Sequence, residues 1–450
     1  MRGKMERAKT VALGLLLLAT LFLMHLVWVQ FPLKNNPLME PAPLAVPIDK
    51  EDYIPKEALI HFGDGSHTVT AQLQNVWPFY RGMIEEVFSH RRSFEPVEEG
   101  ALYKLRGVKS IVFDLGGPLH GAIFQHLYGP EELGVPTKVA FNVEAREFLM
   151  ETEEGIFRSD GGNVSYASIG DFIDVAESQN PVKFVPVDEA YQVASKLYIP
   201  AEGRKDPYHS VYKNELLNMG ETYRQNLVTR MLGTPINSVN IIEESSSTLY
   251  VYGQKTLRMG QEELIYTDDS PIRREAPQLM ASMGAIKSFL SEAMGFRNRL
   301  YFQEVEALEG GYRFKVNFEE SGHMVLPQRE GRAYLIMEVM SNQVRRVNFL
   351  YRTENTQEPP QEGERMLLTV EEIFERNRPL LSELAGGGEE LLSDGELFAA
   401  LEDAVFTFVD PALGERDLLY HAYGLTFHGV SYYFDANQGT YLLEDARGLD

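Results

Sequence analysis

Ser210 and Lys213 have the residue types and the spacing of a known catalytic pair. They fit the S-x-x-K pattern of serine β-lactamases and penicillin-binding proteins, in which the serine is the nucleophile and the lysine activates it. The chain has neither the S-D-N nor the K-T-G segment that completes such a site. A two-residue match is expected by chance in 450 residues. We therefore interpret these residues as part of a loop that enters a helix.

The ten histidines offer few arrangements suited to a metal ion. His61 and His67 lie on either side of a turn and could converge, but the sequence indicates no third ligand. His421 and His428 lie on one predicted strand, on opposite faces and about 23 Å apart at about 3.3 Å per residue. The chain also lacks an H-E-x-x-H pair. The sequence therefore predicts no metal site.

Neither a nucleotide-binding loop nor a pair of catalytic carboxylates stands out. Gly116 and Gly117 follow an apolar run, but the later glycine of G-x-G-x-x-G and the Gly-Lys of a P-loop are missing. Adjacent acidic pairs such as Glu319 and Glu320 point in different directions, whereas glycosidase carboxylates face each other across a cleft. We predict no catalytic residue and no cofactor.

The composition excludes further classes of function. The chain has no cysteine, which removes disulfides, thiolate metal sites, cysteine nucleophiles and iron–sulfur clusters. Its net charge is −24, from 66 acidic and 42 basic residues. Binding to nucleic acid depends on Lys and Arg side chains that displace counterions from phosphates. We therefore expect no binding to nucleic acid.

Residues 11–29 have the length and apolarity of a membrane span. Apart from His25 they carry no ionisable side chain, and a helix of that length covers about 28 Å, close to the hydrocarbon thickness of a bilayer. The preceding decapeptide is basic, which predicts a cytoplasmic N-terminus and an extracytoplasmic remainder. A cleaved signal peptide is the alternative, but its apolar core is usually shorter and no A-x-A-like site follows. We predict an uncleaved single-pass anchor in the cell membrane.

Hydrophobic patterning predicts an α+β fold with antiparallel sheets after this span. Apolar and polar residues alternate in several segments, among them residues 312–319, and long helices between parallel strands are missing. The patterns predict a hairpin around residues 63–66 and a meander of strands over 239–267. They also predict a strand at 163–168 and a helix at 213–231. Thr369 and Glu372 form a capping-box pattern that opens a later helix.

These elements suggest a division into domains. A helix followed by antiparallel strands recurs after residue 275, with a polar break at 354–365, which predicts a duplicated unit. The predicted parts are a cytoplasmic tail (1–10), a transmembrane helix (11–29), a Pro-rich stalk (30–57), an N-terminal α+β domain (58–205), a middle helix-plus-β-meander domain (206–274) and a C-terminal duplicated helix-plus-antiparallel-sheet domain (275–450).

Several segments together resemble one known family. The opening apolar run is similar to the membrane anchor of YycH, also called WalH, an accessory protein of the WalK/WalR (YycG/YycF) two-component system of Gram-positive bacteria. The residues that carry the resemblance are Leu16-Leu17-Leu18-Ala19-Thr20-Leu21-Phe22-Leu23, Leu26-Val27-Trp28 with Pro32, Ile60-His61-Phe62-Gly63-Asp64, Ile241-Ile242-Glu243, Leu249-Tyr250-Val251-Tyr252-Gly253 with Leu257-Arg258, and Leu264-Ile265-Tyr266.

The resemblance implies a function in signal transduction. It implies a non-enzymatic regulator of the WalK sensor histidine kinase, which controls cell-wall metabolism, together with the related protein YycI (WalI). It also implies that the C-terminal unit is similar to YycI and that the membrane helix helps to control the kinase. A homodimer is compatible with the sequence as well.

Within the membrane helix, small and polar residues are the candidate contacts with a partner helix. Close packing at small residues and hydrogen bonds between polar groups drive helix association in lipid. Ala12 and Ala19 lie on nearly one face, and Thr20 and His25 are the polar groups of the span. These types are common in any membrane helix, so an anchor without a binding face is the competing interpretation.

A membrane-anchored cell-envelope hydrolase or a wall-ligand-binding protein is the alternative function.

Overall fold

The fold is given by a computed structural model, which describes residues 48, 50–51, 53–89, 93–129, 131–203, 210–217, 219–271, 275–294, 299–328, 333–355, 366–386, 390–414 and 416–446. The predicted tail and the predicted transmembrane helix lie outside this range, and so does most of the predicted stalk. Within it, no helix combines the length and the apolarity that crossing a membrane requires. The described part is a mixed α+β structure with antiparallel sheets, as the patterning predicted.

The N-terminal sheet has nine strands in the order β3-β7-β6-β5-β4-β1-β2-β8-β9. Every pair in it is antiparallel. Its strands are β1 (Glu57–Phe62), β2 (His67–Thr70), β3 (Glu95–Val97), β4 (Lys109–Asp114), β5 (Pro136–Asn142), β6 (Glu147–Thr152), β7 (Gly155–Ser159), β8 (Phe184–Pro186) and β9 (Tyr198–Pro200).

The hairpin predicted around residues 63–66 is confirmed by the pairing of β1 with β2. Gly63 and Gly65 adopt φ angles of +89° and +86°, in the left-handed region that glycine occupies without strain. Alternate residues of β1, namely Ala58, Ile60 and Phe62, are buried. This period-two burial sets one face of the sheet against the core.

Four helices accompany this sheet: α1 (Trp77–Ser89), α2 (Pro118–Tyr128), α3 (Tyr166–Ser178) and α4 (Val187–Tyr191). Trp77 and Tyr80 of α1 pack edge-on against Phe113 of β4, with ring centroids 5.2 and 4.9 Å apart. Tyr53 is also buried in this core, although it belongs to the range predicted as stalk. The aromatic rings therefore tie the segment before β1 to the helices.

The strand predicted at 163–168 is wrong, because α3 begins at Tyr166. Tyr166, Ile169 and Ile173 are buried at spacings of three and four residues, which is the helical period. The helix predicted at 213–231 is wrong in its first part. There the chain forms a strand, and helix α5 (Glu221–Leu232) starts only after Gly220. The helix ends before Gly233, which has a left-handed φ of +70°.

A large sheet of thirteen strands forms most of the rest, in the order β11-β12-β13-β14-β19-β18-β16-β17-β21-β23-β24-β25, with β15 paired to β16. Its strands are β11 (Asn240–Glu243), β12 (Thr248–Tyr252), β13 (Lys255–Met259), β14 (Glu263–Asp268), β15 (Leu300–Leu308), β16 (Gly311–Glu320), β17 (His323–Pro327), β18 (Leu335–Met340), β19 (Gln343–Leu350), β21 (Asp403–Asp410), β23 (Tyr420–Phe427), β24 (Val430–Asp435) and β25 (Tyr441–Ala446). A small sheet has the order β20-β10-β22, from β10 (Val211–Asn214), β20 (Arg352–Glu354) and β22 (Arg416–Leu418).

Both predicted runs of helix followed by antiparallel strands are present. Helix α6 (Leu279–Ala293) precedes β15–β19, and helices α7 (Val370–Leu384) and α8 (Asp394–Ala400) precede β21 and β23–β25. The two runs share one sheet through the parallel pairing of β17 with β21. The predicted meander β11–β14 joins the same sheet, because β14 pairs with β19 across the domain boundary predicted at residue 274. Similarity between the two runs, and the domain boundaries, stay predictions.

The capping box predicted at the start of α7 is confirmed. The Thr369 hydroxyl accepts the Glu372 N–H, and the Glu372 carboxylate accepts the Thr369 N–H at 2.8 Å. The helix continues through Pro379, with non-helical backbone at Asn377 two residues earlier. Local capping thus determined where α7 starts, and the proline kinks the helix without ending it.

A buried ion pair joins the small sheet to the large one. Arg352, 1% exposed, lies on β20, and Asp410, 0% exposed, ends β21. The guanidinium donates to both Asp410 carboxylate oxygens, at 2.8 and 3.2 Å, and to Asp417 at 2.8 Å. The Tyr334 hydroxyl donates to Asp410 at 2.8 Å. The charges are thus paired and hydrogen-bonded on several sides, which burial of charge requires.

We predict that Arg352→Met lowers the free energy of unfolding by about 3–5 kcal/mol, because it leaves the Asp410 carboxylate buried without its cation. Urea denaturation followed by circular dichroism measures the change. Arg258→Met is the matched control, since the Arg258–Glu244 pair is 50% and 36% exposed, and removing it should cost less than about 1 kcal/mol. Equal losses in the two variants would contradict the importance of the buried pair.

Candidate functional site

A broad cleft lies between the N-terminal sheet and the large sheet. Its volume is about 1820 Å³. Leu59 and Val112 line one wall, while Lys287 of α6, Tyr301 of β15 and Phe406 of β21 line the other. Small-molecule sites usually measure about 300–1,000 Å³. The cleft is therefore large enough for an extended ligand.

Three ionisable side chains form a row on the wall that the N-terminal sheet contributes. Glu57 of β1 pairs in register with Asp114 of β4, and Asp114 pairs with Lys138 of β5. Residues directly opposite each other on adjacent strands point to the same face. Lys56, just before β1, extends the row across the cleft, since its Nζ lies 3.6 Å from Oδ2 of Asp403 on β21.

Burial and neighbouring charges set the protonation states in this row. Burial alone would lower the pKa of Lys56, but the carboxylates around it, above all Asp403, raise it. Burial raises the pKa of Glu57, and Asp114 and Asp403 add to the increase while Lys56 opposes it. Lys56 therefore remains an ammonium ion, which is neither a base nor a nucleophile.

His120 of α2 lines the same cleft beside the Gly116-Gly117 turn. Both glycines have a left-handed φ, of +88° and +96°. A Cβ on Gly116 would lie 3.1 Å from the Lys56 Cβ and 3.6 Å from the His120 Nδ1, so glycine permits this close approach. Burial lowers the pKa of His120 to about 4, and its ring lies 5.1 Å from that of Tyr301.

These groups can bind a polar ligand. The cleft presents a fixed ammonium, several carboxylates, a neutral imidazole and a tyrosine ring. With a pKa of about 4, His120 is a weak base at neutral pH. Ion pairs and hydrogen bonds from such groups can orient the polar substituents of a ligand.

His61 and His67 form a second cluster, at the opposite end of β1 and β2. The two residues pair in register, and their Nδ1 atoms are 2.8 Å apart. Their exposed fractions are 1% and 2%. The predicted convergence across the turn is thus confirmed. One imidazole donates its N–H and the other accepts it, which requires the accepting ring to be neutral.

The surroundings of this pair keep both rings uncharged. Burial, His67 and Arg106 lower the pKa of His61 to about 3. Burial and Arg106 lower the pKa of His67, against a smaller opposing effect of Glu189 and Asp64. The Arg106 guanidinium is held by Asp188 at 2.8 Å and donates to the Tyr198 hydroxyl at 2.7 Å.

The described residues contain no group of three or more His, Asp or Glu side chains that could hold a metal ion. The His61–His67 contact is therefore a hydrogen-bonded pair within the N-terminal sheet.

The structure separates the residues of the S-x-x-K match. The Ser210 hydroxyl donates to Glu320 at 2.9 Å, and the Lys213 Nζ lies 3.4 Å from Glu215. Lys213 belongs to strand β10, so the interpretation of a loop entering a helix is wrong at this position. The strand forms because β20 and β22 flank it.

Other residues singled out in the sequence have different outcomes. Gly116 and Gly117 form a turn after β4, and His421 is buried within β23. His428 lies in the turn after β23, with φ of +50°, so the single strand predicted to carry both histidines is wrong. The predicted membrane contacts, Ala12, Ala19, Thr20 and His25, lie outside the described residues.

Sequence reasoning did not find the cleft. Lys56, His120 and Asp403 come from segments far apart in the chain, and no local spacing links them. The Gly116-Gly117 pair was the one local signal, because consecutive glycines indicate a close backbone approach. The register that places Glu57 beside Asp114 requires knowledge of which strands pair.

Comparison with known proteins adds little about function. No protein-family model matches the sequence, and no curated protein matches it. A crystal structure of an uncharacterised protein from Eubacterium rectale is 11% identical, covers 55% of this chain and 91% of its own, and has a TM-score of 0.33. The C-terminal domain of YpeB from Bacillus megaterium is 12% identical, covers 50% of this chain and 97% of its own, and has a TM-score of 0.30. At these TM-scores neither likeness supports an argument about function.

We predict that acid weakens the fold through the His61–His67 pair. Because both pKa values are lower in the folded state, the contribution is complete above the unfolded-state pKa of about 6.5 and is lost as pH falls toward the folded-state value. With a folded-state pKa of about 3, His61 alone accounts for about 2 kcal/mol between pH 7 and pH 5. Urea denaturation at both pH values measures the loss.

The double variant His61→Leu/His67→Leu tests the cause of this loss. It should show a smaller difference in stability between pH 7 and pH 5 than the wild type. His428→Leu is the control, because His428 is exposed, and it should keep the wild-type difference. A double variant with an unchanged pH dependence would assign the acid sensitivity to other groups.

Proposed function

We propose that this protein is a non-enzymatic, membrane-anchored regulator of the WalK sensor histidine kinase. The observation that carries the proposal is the resemblance of its sequence to YycH, which begins in the apolar run around Leu16–Leu23 and continues through later segments as far as Tyr266. In this proposal the N-terminus is cytoplasmic and the folded body lies outside the cell membrane. The regulator acts with YycI, and the kinase it modulates controls cell-wall metabolism.

The positions of the resembling segments support this proposal. Ile60 to Asp64 form the end of β1 and its turn, and Ile241 to Tyr266 form the meander β11–β14. These segments therefore build parts of both main sheets. We also propose that the two runs of helix and antiparallel strands after residue 275 are a duplicated unit similar to YycI.

The membrane helix is the proposed surface of contact with the kinase. Ala12 and Ala19 would let a neighbouring helix approach closely, and Thr20 and His25 would provide hydrogen bonds within the span. Control of the kinase requires that this contact differ between its signalling states, because equal affinity for both states would shift nothing.

A second candidate function is the binding of a wall ligand, and the cleft is the observation that favours it. The cleft has a volume of about 1820 Å³ and charged walls, which suits a polymer fragment with polar substituents. In the hydrolase form of this alternative, the Lys56 ammonium could not be the base or the nucleophile, since it cannot take up a proton.

We predict that the contact depends on the sequence of the membrane helix. Replacing residues 11–29 with an unrelated poly-Leu-based anchor should change WalK output in the cell and reduce co-purification of the kinase. Reporter expression under WalR control and affinity capture from solubilised membranes measure the two effects. Unchanged output together with unchanged capture would show that the helix is an anchor alone.

Single substitutions refine this test. Ala19→Leu fills the proposed contact face and should reduce capture several-fold. Gly14→Leu makes a similar increase in size on the other side of the helix. Gly14 lies two residues after Ala12, so the two side chains are about 200° apart around the helix axis. This variant should leave capture unchanged. Equal effects of the two variants would argue against a specific face.

For the second candidate function, we predict that soluble wall fragments bind the full-length protein in detergent and that Asp403→Asn weakens binding about tenfold. Asp403 is the ion-pair partner of Lys56 in the cleft. Calorimetric titration measures the dissociation constant. Glu244→Gln, far from the cleft walls, is the control and should bind as the wild type does. Absence of binding to the wild type would exclude this function.

A further inference from the structure

Strand β11 forms an end of the large sheet and is exposed along its whole length. It pairs with β12, and no described strand pairs with its outer side. All four of its residues are exposed, including 49% of Ile241 and 44% of Ile242. Two adjacent isoleucines on this edge strand expose apolar surface on both faces of the sheet.

β11 contains no lysine, no proline and no β-bulge, which are three of the features with which proteins prevent edge-to-edge pairing. The sequence of β11 is Asn-Ile-Ile-Glu, and its register with β12 is regular from Asn240 to Glu243. Within the described part of the chain, the outer edge is therefore available to a further strand.

The hairpin hydrogen bond determines which backbone groups face outward. The Glu244 N–H donates to the Ser247 carbonyl at 2.9 Å, so this residue bonds toward β12. In an antiparallel pair, residues alternate between those that bond to the neighbour and those that bond away from it. Ile242 and Asn240 thus bond to β12, while the N–H and C=O groups of Ile241 and Glu243 point outward.

Two copies of β11 can pair with each other as antiparallel strands, with Ile242 of one copy opposite Ile242 of the other. In this alignment the outward-facing backbone groups of the two strands match. Each Ile241 then lies opposite Glu243 of the second copy, and the outward groups of these residues form four backbone hydrogen bonds. The two Ile242 side chains meet on the axis, in a non-hydrogen-bonded pair. Asn240 lies opposite Glu244, where an amide can donate to a carboxylate.

Neighbouring registers are less favourable. Centring the pair on Ile241 would need the Val239 N–H, which already donates to the Ile236 carbonyl at 3.0 Å. Centring it on Glu243 would place two carboxylates directly opposite each other, which is destabilising. Registers in which the two-fold axis passes between two residues are excluded. They would place a residue whose backbone groups point outward opposite one whose groups already bond to β12.

We propose that β11 is a homotypic docking edge, through which two copies of this chain pair about Ile242 and join their large sheets into one. Such a short pairing buries less than the roughly 1,200 Å² of a stable interface. The contact is therefore weak, and covalent trapping is the suitable probe.

Cysteine substitution tests the register, because the chain has no cysteine of its own. In the full-length protein under mild oxidation, Ile242→Cys should form a covalent dimer, since non-hydrogen-bonded partners have Cα atoms about 4.5 Å apart. Ile241→Cys is the matched control with similar exposure. Its two copies would be diagonal neighbours about 7–8 Å apart, beyond the reach of a disulfide, and should cross-link at least tenfold more slowly.

Equal cross-linking of the two cysteine variants, or none in Ile242→Cys, would overturn the proposal. Lysine substitution gives an independent readout by sedimentation of the concentrated full-length protein in detergent. Ile242→Lys places two ammonium groups on the axis and should abolish the dimer. Ile241→Lys removes a similar apolar side chain but places the ammonium opposite Glu243, and should retain the dimer. Equal loss in both variants would indicate association through a general apolar patch and would also contradict the proposed pairing.

Discussion

The ion pair between Arg352 and Asp410 is the contact on which the arrangement of the sheets depends. Arg352 belongs to the small sheet. Asp410 is the last residue of β21, the strand of the large sheet that pairs in parallel with β17. The guanidinium also donates to the Gly414 carbonyl at 2.7 Å, and Asp410 accepts the Ala412 N–H at 2.9 Å. Separating the two side chains would leave a buried charge without its partner, which is strongly destabilising, so the pair favours this relative position of the two sheets.

Burial has opposite consequences at the three ionisable clusters. Arg352 and Lys56 keep their charge because carboxylates lie beside them. His61 and His67 lose theirs because burial disfavours the charged form, and the nearby cation, Arg106, adds to this effect. The same apolar surroundings thus stabilise an ion pair in one place and a neutral hydrogen bond in another, according to the sign of the neighbouring charge.

The cleft and the β11 edge occupy different parts of the molecule. The cleft depends on the packing of the N-terminal sheet against α6, β15 and β21, whereas β11 lies at an end of the large sheet and is reached through β12–β14. Ligand binding in the cleft and pairing at the edge can therefore be altered separately. The proposed membrane helix would add a third surface, formed by a segment outside both sheets.

Local patterns predicted much of the fold. Turn glycines and the alternation of apolar and polar residues identified the β1–β2 hairpin, the meander β11–β14 and most strands of the large sheet. The capping box of α7 was predictable because both hydrogen bonds lie within four consecutive residues. Predictions failed where distant contacts outweighed local preference, as at β10, which becomes a strand between β20 and β22.

The sequence by itself determined the α+β class, the acidic charge, the absence of thiol chemistry and the convergence of His61 with His67, because these depend on composition or on residues close in the chain. Only the tertiary structure decided that the two helix-and-strand runs share one sheet, that Lys56 meets Asp403 across a cleft and that Arg352 is buried against Asp410. Each of these depends on which strands pair over more than fifty residues of chain. That pairing is selected by the combined burial and hydrogen bonding of the whole sheet, which no local pattern contains.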